Sequence, residues 1–245
     1  MKKIVLLMVM VCCLAACQKS AKVVSKTSQI HMIDSTLDAL QDTQYVAYLK
    51  PIKTDLENKL SEVIGYTLEP LGVFQPECPM LNWATDALLY MAKKYCPDKV
   101  DIAVVNIGGM RCSWGQGDIT IKHVFELMPF DNELVVLTLT GQDILDLCQV
   151  FAKTGGEGAA GMQIAVRNGV VDAKINNKMI DPSKTYLVAT SDYLSQGNDY
   201  MTPLTKSSHV WKSNMKIRDL YLEYIKGKKL VEAVVDGRFV IDNDN

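Results

Sequence analysis

The sequence predicts an α+β fold, a mixed β-sheet flanked by helices. Two observations carry that reading. Stretches with apolar residues at helical spacing mix irregularly with short apolar runs bounded by turn residues, and Asn168-Gly169 between two such runs marks a tight hairpin. Neither a regular strand–helix–strand alternation nor an internal repeat runs through the 245 residues, so a doubly wound parallel sheet is not expected.

The elements follow in chain order. Lys2 and Lys3 precede an apolar run from Ile4 to Val11 that is too short to span a bilayer. It ends in Leu14-Ala15-Ala16-Cys17, which resembles the lipobox of bacterial lipoproteins. Residues 1–16 are thus expected to be a lipoprotein signal peptide and Cys17 the lipidated mature N-terminus. That implies a bacterial cell envelope protein held by its lipid, on the periplasmic or surface face of the outer membrane. Residues 17–42 are expected to tether the anchor to a globular domain spanning 43–245.

Ile52, Leu56, Leu60, Val63 and Ile64 share one helical face, so a helix is predicted from Pro51 in its first turn to a stop at Gly65. A second helix is predicted over Leu81–Tyr95, then a buried strand over Val100–Val105 and a short helix over Lys122–Leu127. Leu134–Leu139 reads as a strand. Thr140 caps the next helix, which runs to about Lys153 with Asp143 as capping-box partner. The glycine-rich stretch Gly155–Gly161 is expected to be a mobile loop. Asn168-Gly169 joins strands at Gln163–Val166 and Val170–Ile175, and Asn176-Asn177 turns the chain again. A strand over Thr185–Thr190, a loop over Ser191–Met201, a helix over Ile217–Ile225 stopped by Gly227, and a closing hairpin over Val234–Phe239 complete the prediction.

Composition narrows the function. Apolar residues make up 48% and charged residues 22%, enough for a real core in one domain. A net charge of −2 without a basic stripe argues against a nucleic-acid polymer as partner. Cys78, Cys96, Cys112 and Cys148 would remain after processing. Four cysteines allow three pairings, and buried free thiols are an equal reading. No CxxC spacing suggests a redox or zinc motif.

Three loops carry unusual residues. In Asn106-Ile107-Gly108-Gly109-Met110-Arg111, paired glycines allow close backbone approach and Arg111 offers a planar cationic fork to an anion. Only four arginines occur in the chain, so one in a glycine-rich loop is informative. Phe130 stands between Pro129 and Asp131-Asn132, and Tyr193 and Asp199 flank Gly197 in the third loop. Each loop alone is compatible with a tight turn, a core plug or a polar turn.

Together they form a specific set. Asn-x-Gly-Gly-x-Arg, Gly-Asp-Ile-Thr, Pro-Phe-x-Asn, a Thr-Gly helix start and Asp-Tyr-Leu-x-x-Gly-x-Asp follow one another in order. From about Lys50 onward the chain resembles the C-terminal, substrate-binding domain of the 5'-nucleotidases and UDP-sugar hydrolases. The resemblance implies that Phe130 and Tyr193 sandwich a nucleobase and that Asp199 binds ribose hydroxyls. It also implies that Asn106 and Arg111 contact the nucleotide near ribose and phosphate, that Asn132 reads the base edge, and that Gly108, Gly109 and Gly197 shape the binding loops.

The departures from the family pattern matter too. Members place an Arg ahead of the helix equivalent to Leu81–Tyr95, whereas Leu68–Asn82 holds neither Arg nor Lys and puts Phe74 near that place. The usual Gly-Gly-Asp-Gly is Gly197-Asn198-Asp199-Tyr200 here, and Tyr193 stands where Phe is usual and brings a hydroxyl that needs a partner. In the family, hydrolysis uses two divalent metals held by Asp, Asn and His of a separate N-terminal domain. The three histidines here, His31, His123 and His209, stand outside any such motif, and His123 is expected to pack or cap. No catalytic residues, metal ligands or cofactor are therefore expected in this chain. The leading expectation is the nucleotide- or nucleotide-sugar-binding half of a split hydrolase, with a separately encoded metallophosphatase supplying the metals. The alternatives are a non-catalytic nucleoside- or nucleotide-binding lipoprotein that feeds uptake, or a scaffold that has lost its ligand.

Overall fold

The computed structural model describes residues 23–30, 32–35, 37 and 42–242. The expected signal peptide, Cys17 and His31 lie outside the described residues. The chain divides into two units, 1–50 and 51–245, and every described residue of the first is exposed.

Helix α1 spans Thr43–Leu60 and crosses that division. It starts earlier than periodicity suggested because Asp42 caps it, its Oδ1 accepting from the N–H groups of Gln44 (2.9 Å) and Tyr45 (3.1 Å). Pro51 consequently lies inside the helix, whose apolar stripe is open, with Ile52 and Leu56 exposed. Val63, Ile64 and Gly65 do not extend it. They belong to β1 (Val63–Thr67), which pairs antiparallel with β3 (Gly117–Thr120).

In the second unit a mixed five-stranded sheet has the order β10–β4–β9–β2–β5. Its members are β2 (Ile102–Val105), β4 (Glu133–Thr140), β5 (Gly158–Ala160), β9 (Thr185–Ser191) and β10 (Val210–Lys216). Side-chain alternation splits the core into two clusters on the two faces of this sheet. Ala103, Val105, Leu134 and Val136 point to the cluster that holds α2 (Pro79–Tyr95), α3 (Ile121–Leu127) and α6 (Ile217–Lys228). Ile102, Val104, Val135, Leu137 and Leu139 point to the other, built with α4 (Gly141–Thr154) and the second sheet. Coverage on both faces explains why β2 reads as an unbroken apolar run. Trp83 lies against Trp114 and Tyr221, with ring centroids 5.0 and 5.2 Å apart, at the centre of the first cluster. Each fully buried Leu or Met of α2, such as Met80 or Leu88, contributes about 1.5–3 kcal/mol.

The second sheet, β11–β6–β7–β8, comprises β6 (Met162–Arg167), β7 (Val170–Ile175), β8 (Lys178–Met179) and β11 (Phe239–Asp242). Asn168 (φ +48°) and Gly169 (φ +78°) form the β6–β7 turn, and Asn176 and Asn177 turn the chain into β8, as the sequence indicates. The Thr140–Asp143 capping box is present, with Asp143 N–H donating to the Thr140 hydroxyl and Thr140 N–H donating to the Asp143 carboxylate.

Three further expectations need correction. Gly155–Gly161 is no mobile loop: its glycines allow close packing, and β5 lies within it. A Cβ on Gly156 would collide with the Pro76 carbonyl oxygen, and one on Gly158 would sit 2.7 Å from Val105. Helix α6 passes through Gly227, where an added Cβ would touch nothing, and is capped by Lys229 (φ +65°). Val234–Phe239 forms no hairpin, since β11 pairs in parallel with β6. Glu77, itself buried, holds that stretch by accepting from the N–H of Asp236 (2.9 Å) and of Phe239 (3.4 Å). The four described cysteines stand as free thiols. Burial pushes the Cys148 thiol up to about 12, which keeps it protonated and unreactive.

Candidate functional site: a cleft where three loops meet

The segments that follow β2, α3 and β9, the last opening with the one-turn helix α5 (Asp192–Ser195), converge on one cleft of about 410 Å³. Asn106, Gly108, Gly109, Arg111, Phe130, Asn132, Tyr193 and Asp199 line it. Gly197 does not. It adopts φ +84° and backs onto the 3₁₀ turn Thr202–Lys206, where a Cβ would lie 2.9 Å from the Thr205 methyl.

After β2 the chain makes a 3₁₀ turn over Ile107–Gly109, with Asn106 at its start. Space is tight there, because a Cβ on Gly109 would come within 2.9 Å of the Asn106 amide oxygen. The Asn106 amide Nδ2 donates to one oxygen of Asp199, and the Tyr193 hydroxyl donates to the other at 3.1 Å. That bond is the partner the extra hydroxyl of Tyr193 required, and it holds the phenol above its ordinary range. Asp199 and Tyr200 both adopt positive φ (52° and 65°), so the third loop closes through two left-handed residues where the family pattern has Asp-Gly. Tyr200 is 80% exposed beside the cleft.

The Phe130 loop rests on a buried cation. Arg218, on α6, is only 7% exposed and donates from Nη1 to the Phe130 carbonyl (3.2 Å) and from Nη2 to Asp131 (2.6 Å). Its guanidinium also lies over the Phe125 ring, 4.3 Å from the centroid. Hydrogen bonds from Lys216 and Arg218 hold the Asp131 carboxyl below the ordinary carboxylate range. Phe130 is thereby fixed through its backbone while its ring, 40% exposed, faces the cleft beside Tyr193, 39% exposed. Arg111 donates to the Gly108 carbonyl (3.2 Å) and lies 5.9 Å from the Phe130 ring centroid. The cleft wall therefore offers two aromatic faces, one cation, one carboxylate and the amides of Asn106 and Asn132.

Two residues that support this cleft escape sequence reasoning. Arg218 sits in a helix with no sign that it carries the Phe130 loop. Glu157, 7% exposed, accepts from the N–H of Ile107 at 2.7 Å, and burial pushes its carboxyl up. A carboxylate inside a run of glycines was the available signal for it. His123 caps α3, its ring Nδ1 accepting from Thr120 N–H at 2.9 Å, and His209 is exposed. Among the described residues no group of three or more His, Cys, Asp or Glu could hold a metal ion, so they do not fit the dinuclear centre that the resemblance associates with hydrolysis. Phe74, half exposed, is absent from the cleft wall. A second depression of about 280 Å³ is lined by Asp86, Lys174, Asp236 and Arg238 among others, but its Arg238 is already paired with Asp86 and Asp236.

The fold and cleft define an α+β domain with three loops converging on one cleft of mixed aromatic and polar lining. The chain belongs to the 5'-nucleotidase C-terminal domain family, which matches residues 63–206. It is 30% identical over 214 residues to the "Trifunctional nucleotide phosphoesterase protein YfkN" of Bacillus subtilis, covering 78% of this chain and 14% of that protein. It is 28% identical over 170 residues to the "Protein UshA" of Escherichia coli, covering 67% of this chain and 31% of that one. Among solved structures, the 5'-nucleotidase precursor of Thermus thermophilus superimposes with a TM-score of 0.70 and 26% identity, over 82% of this chain and 43% of that one. The NAD nucleotidase of Haemophilus influenzae shares the fold with a TM-score of 0.64 and 18% identity. The chain thus spans less than half the length of these relatives.

Proposed function

We propose that this chain is the nucleotide- or nucleotide-sugar-binding half of a 5'-nucleotidase-type hydrolase, acting with a separate metallophosphatase that carries two divalent metals. The observation that supports it most is the convergence of Phe130, Tyr193, Arg111, Asn132 and Asp199 on one cleft. A base would insert between the two aromatic faces, an arrangement tolerant of base identity because every base has a π-face. Asn132 offers the base edge an amide to which no described side chain is bonded. Asp199 accepts one bond on each oxygen and, with about four acceptor sites, keeps room for two ribose hydroxyls. Arg111 meets the anionic part. It is the cation in the cleft wall, so the nucleoside is held here with its phosphate end directed past Arg111 toward the partner.

A lipid on Cys17 would hold this half at the cell envelope, and two chains anchored to one membrane face would meet at raised effective concentration. The test is hydrolysis of AMP and UDP-glucose with manganese, by this chain alone, by the partner metallophosphatase alone, and by the mixture. Turnover well above both single components in the mixture is expected. Nucleotide binding without any gain in the mixture would instead support a binding lipoprotein that feeds uptake, and neither binding nor gain would leave a scaffold.

A further inference from the structure

The Asn106 turn is held from both sides by carboxylates. From the cleft side Asp199 accepts from the Asn106 side chain, and from below Glu157 accepts from the N–H of Ile107 at 2.7 Å. Ile107 opens the 3₁₀ turn, so its N–H has no partner within that turn and must find one outside. Glu157 reaches it because β5 pairs with β2, with Gly158 opposite Val105, which places Glu157 next to Asn106. The position is a costly one for a carboxylate. Glu157 has no cation within ion-pair distance among the described residues, it is buried, and the charge of Asp199 adds repulsion to its desolvation. A residue serving only to fill this space would be apolar.

We infer that Glu157 is a positioning residue for the cleft: by clamping the Ile107 N–H it holds the turn where Asn106 meets Asp199 and where Arg111 faces the ligand. This rests on the proposed nucleoside-binding role of the cleft, and the clamp can also be tested without a ligand. Glu157→Gln keeps an acceptor oxygen for Ile107, Glu157→Leu removes it, and Ile107→Pro removes the donor at a first-turn position that suits proline.

In the full chain, adenosine affinity and amide hydrogen exchange would be measured together. Glu157→Leu and Ile107→Pro are expected to weaken adenosine about tenfold, and Glu157→Gln to stay within about threefold of wild type. Exchange at the Gly109 and Met110 amides, which close the turn onto Asn106 and Ile107, should accelerate in Leu and Pro but not in Gln. Unchanged affinity and exchange in both Leu and Pro would overturn the assignment, as would a Gln variant as weak as Leu. If wild type binds no adenosine the proposed function fails, and the exchange pattern alone then decides the clamp.

Discussion

The two aromatic walls of the cleft are held in different ways. Phe130 is fixed from behind: Arg218 grips its carbonyl and the neighbouring Asp131, and none of those bonds faces the ligand. Tyr193 is fixed from the front, by a hydroxyl bonded to Asp199, the same carboxylate proposed to take the ribose. One wall is therefore set by the fold before any ligand arrives. Under the proposed function the other shares its anchor with the ligand, and the Tyr193–Asp199 bond becomes part of the binding equilibrium.

The comparison breaks most visibly at Arg218. Arg218→Ala strips the buried support from the Phe130 wall, and chemical denaturation should show a loss of about 2–3 kcal/mol. Most of that comes from two carbonyls left short of a donor and from lost packing on Phe125, because Asp131 is solvent-screened. Next, Phe130→Ala and Tyr193→Ala should each cost about 1–3 kcal/mol of nucleoside binding by calorimetry with little change in stability. Arg111→Ala should weaken AMP more than adenosine, by about 1 kcal/mol of difference, whereas equal losses would make Arg111 structural. Tyr193→Phe sharpens the contrast: it keeps the face and releases an Asp199 acceptor, so adenosine affinity should stay within about 1 kcal/mol of wild type.

The smallest effect is one of pH. The Asp131 carboxyl is depressed below its ordinary 3.8 by Lys216 and Arg218, so folding makes it a stronger acid. Its contribution is complete above that ordinary value and disappears as pH falls through the lower folded value. Asp131→Asn should melt at a slightly lower temperature than wild type at pH 7, and the gap should close below about pH 4.

Much of this was legible in the sequence, and the failures have physical causes. Thr140 with Asp143, and Asn168 with Gly169, act over a few residues, so the sequence contains the whole interaction. The cleft residues were legible only through the resemblance, because each loop alone reads as an ordinary turn and it is their shared order that matches the family pattern. What escaped depends on contacts distant along the chain. Gly156 and Gly158 look like flexibility until Pro76 and Val105 are seen against them. Phe239 looks like the end of a hairpin until it pairs with Ile164 in β6. Glu157 and Arg218 act through backbone groups of Ile107 and Phe130; a carboxylate among glycines is the one mark of the first, and no pattern marks the second. Ile52 and Leu56 show the reverse: a helical apolar stripe records what could be buried, and here it stays exposed.

The most direct test of the central claim is an NMR titration of the full chain with AMP, following backbone and side-chain amides. Saturable shifts are expected at Asn106, Gly108, Gly109, Phe130, Asn132, Tyr193 and Asp199, and Phe130→Ala and Tyr193→Ala together should abolish them. Shifts confined to the Asp86–Arg238 depression, or none at millimolar AMP, would contradict the assignment of this cleft as a nucleotide site.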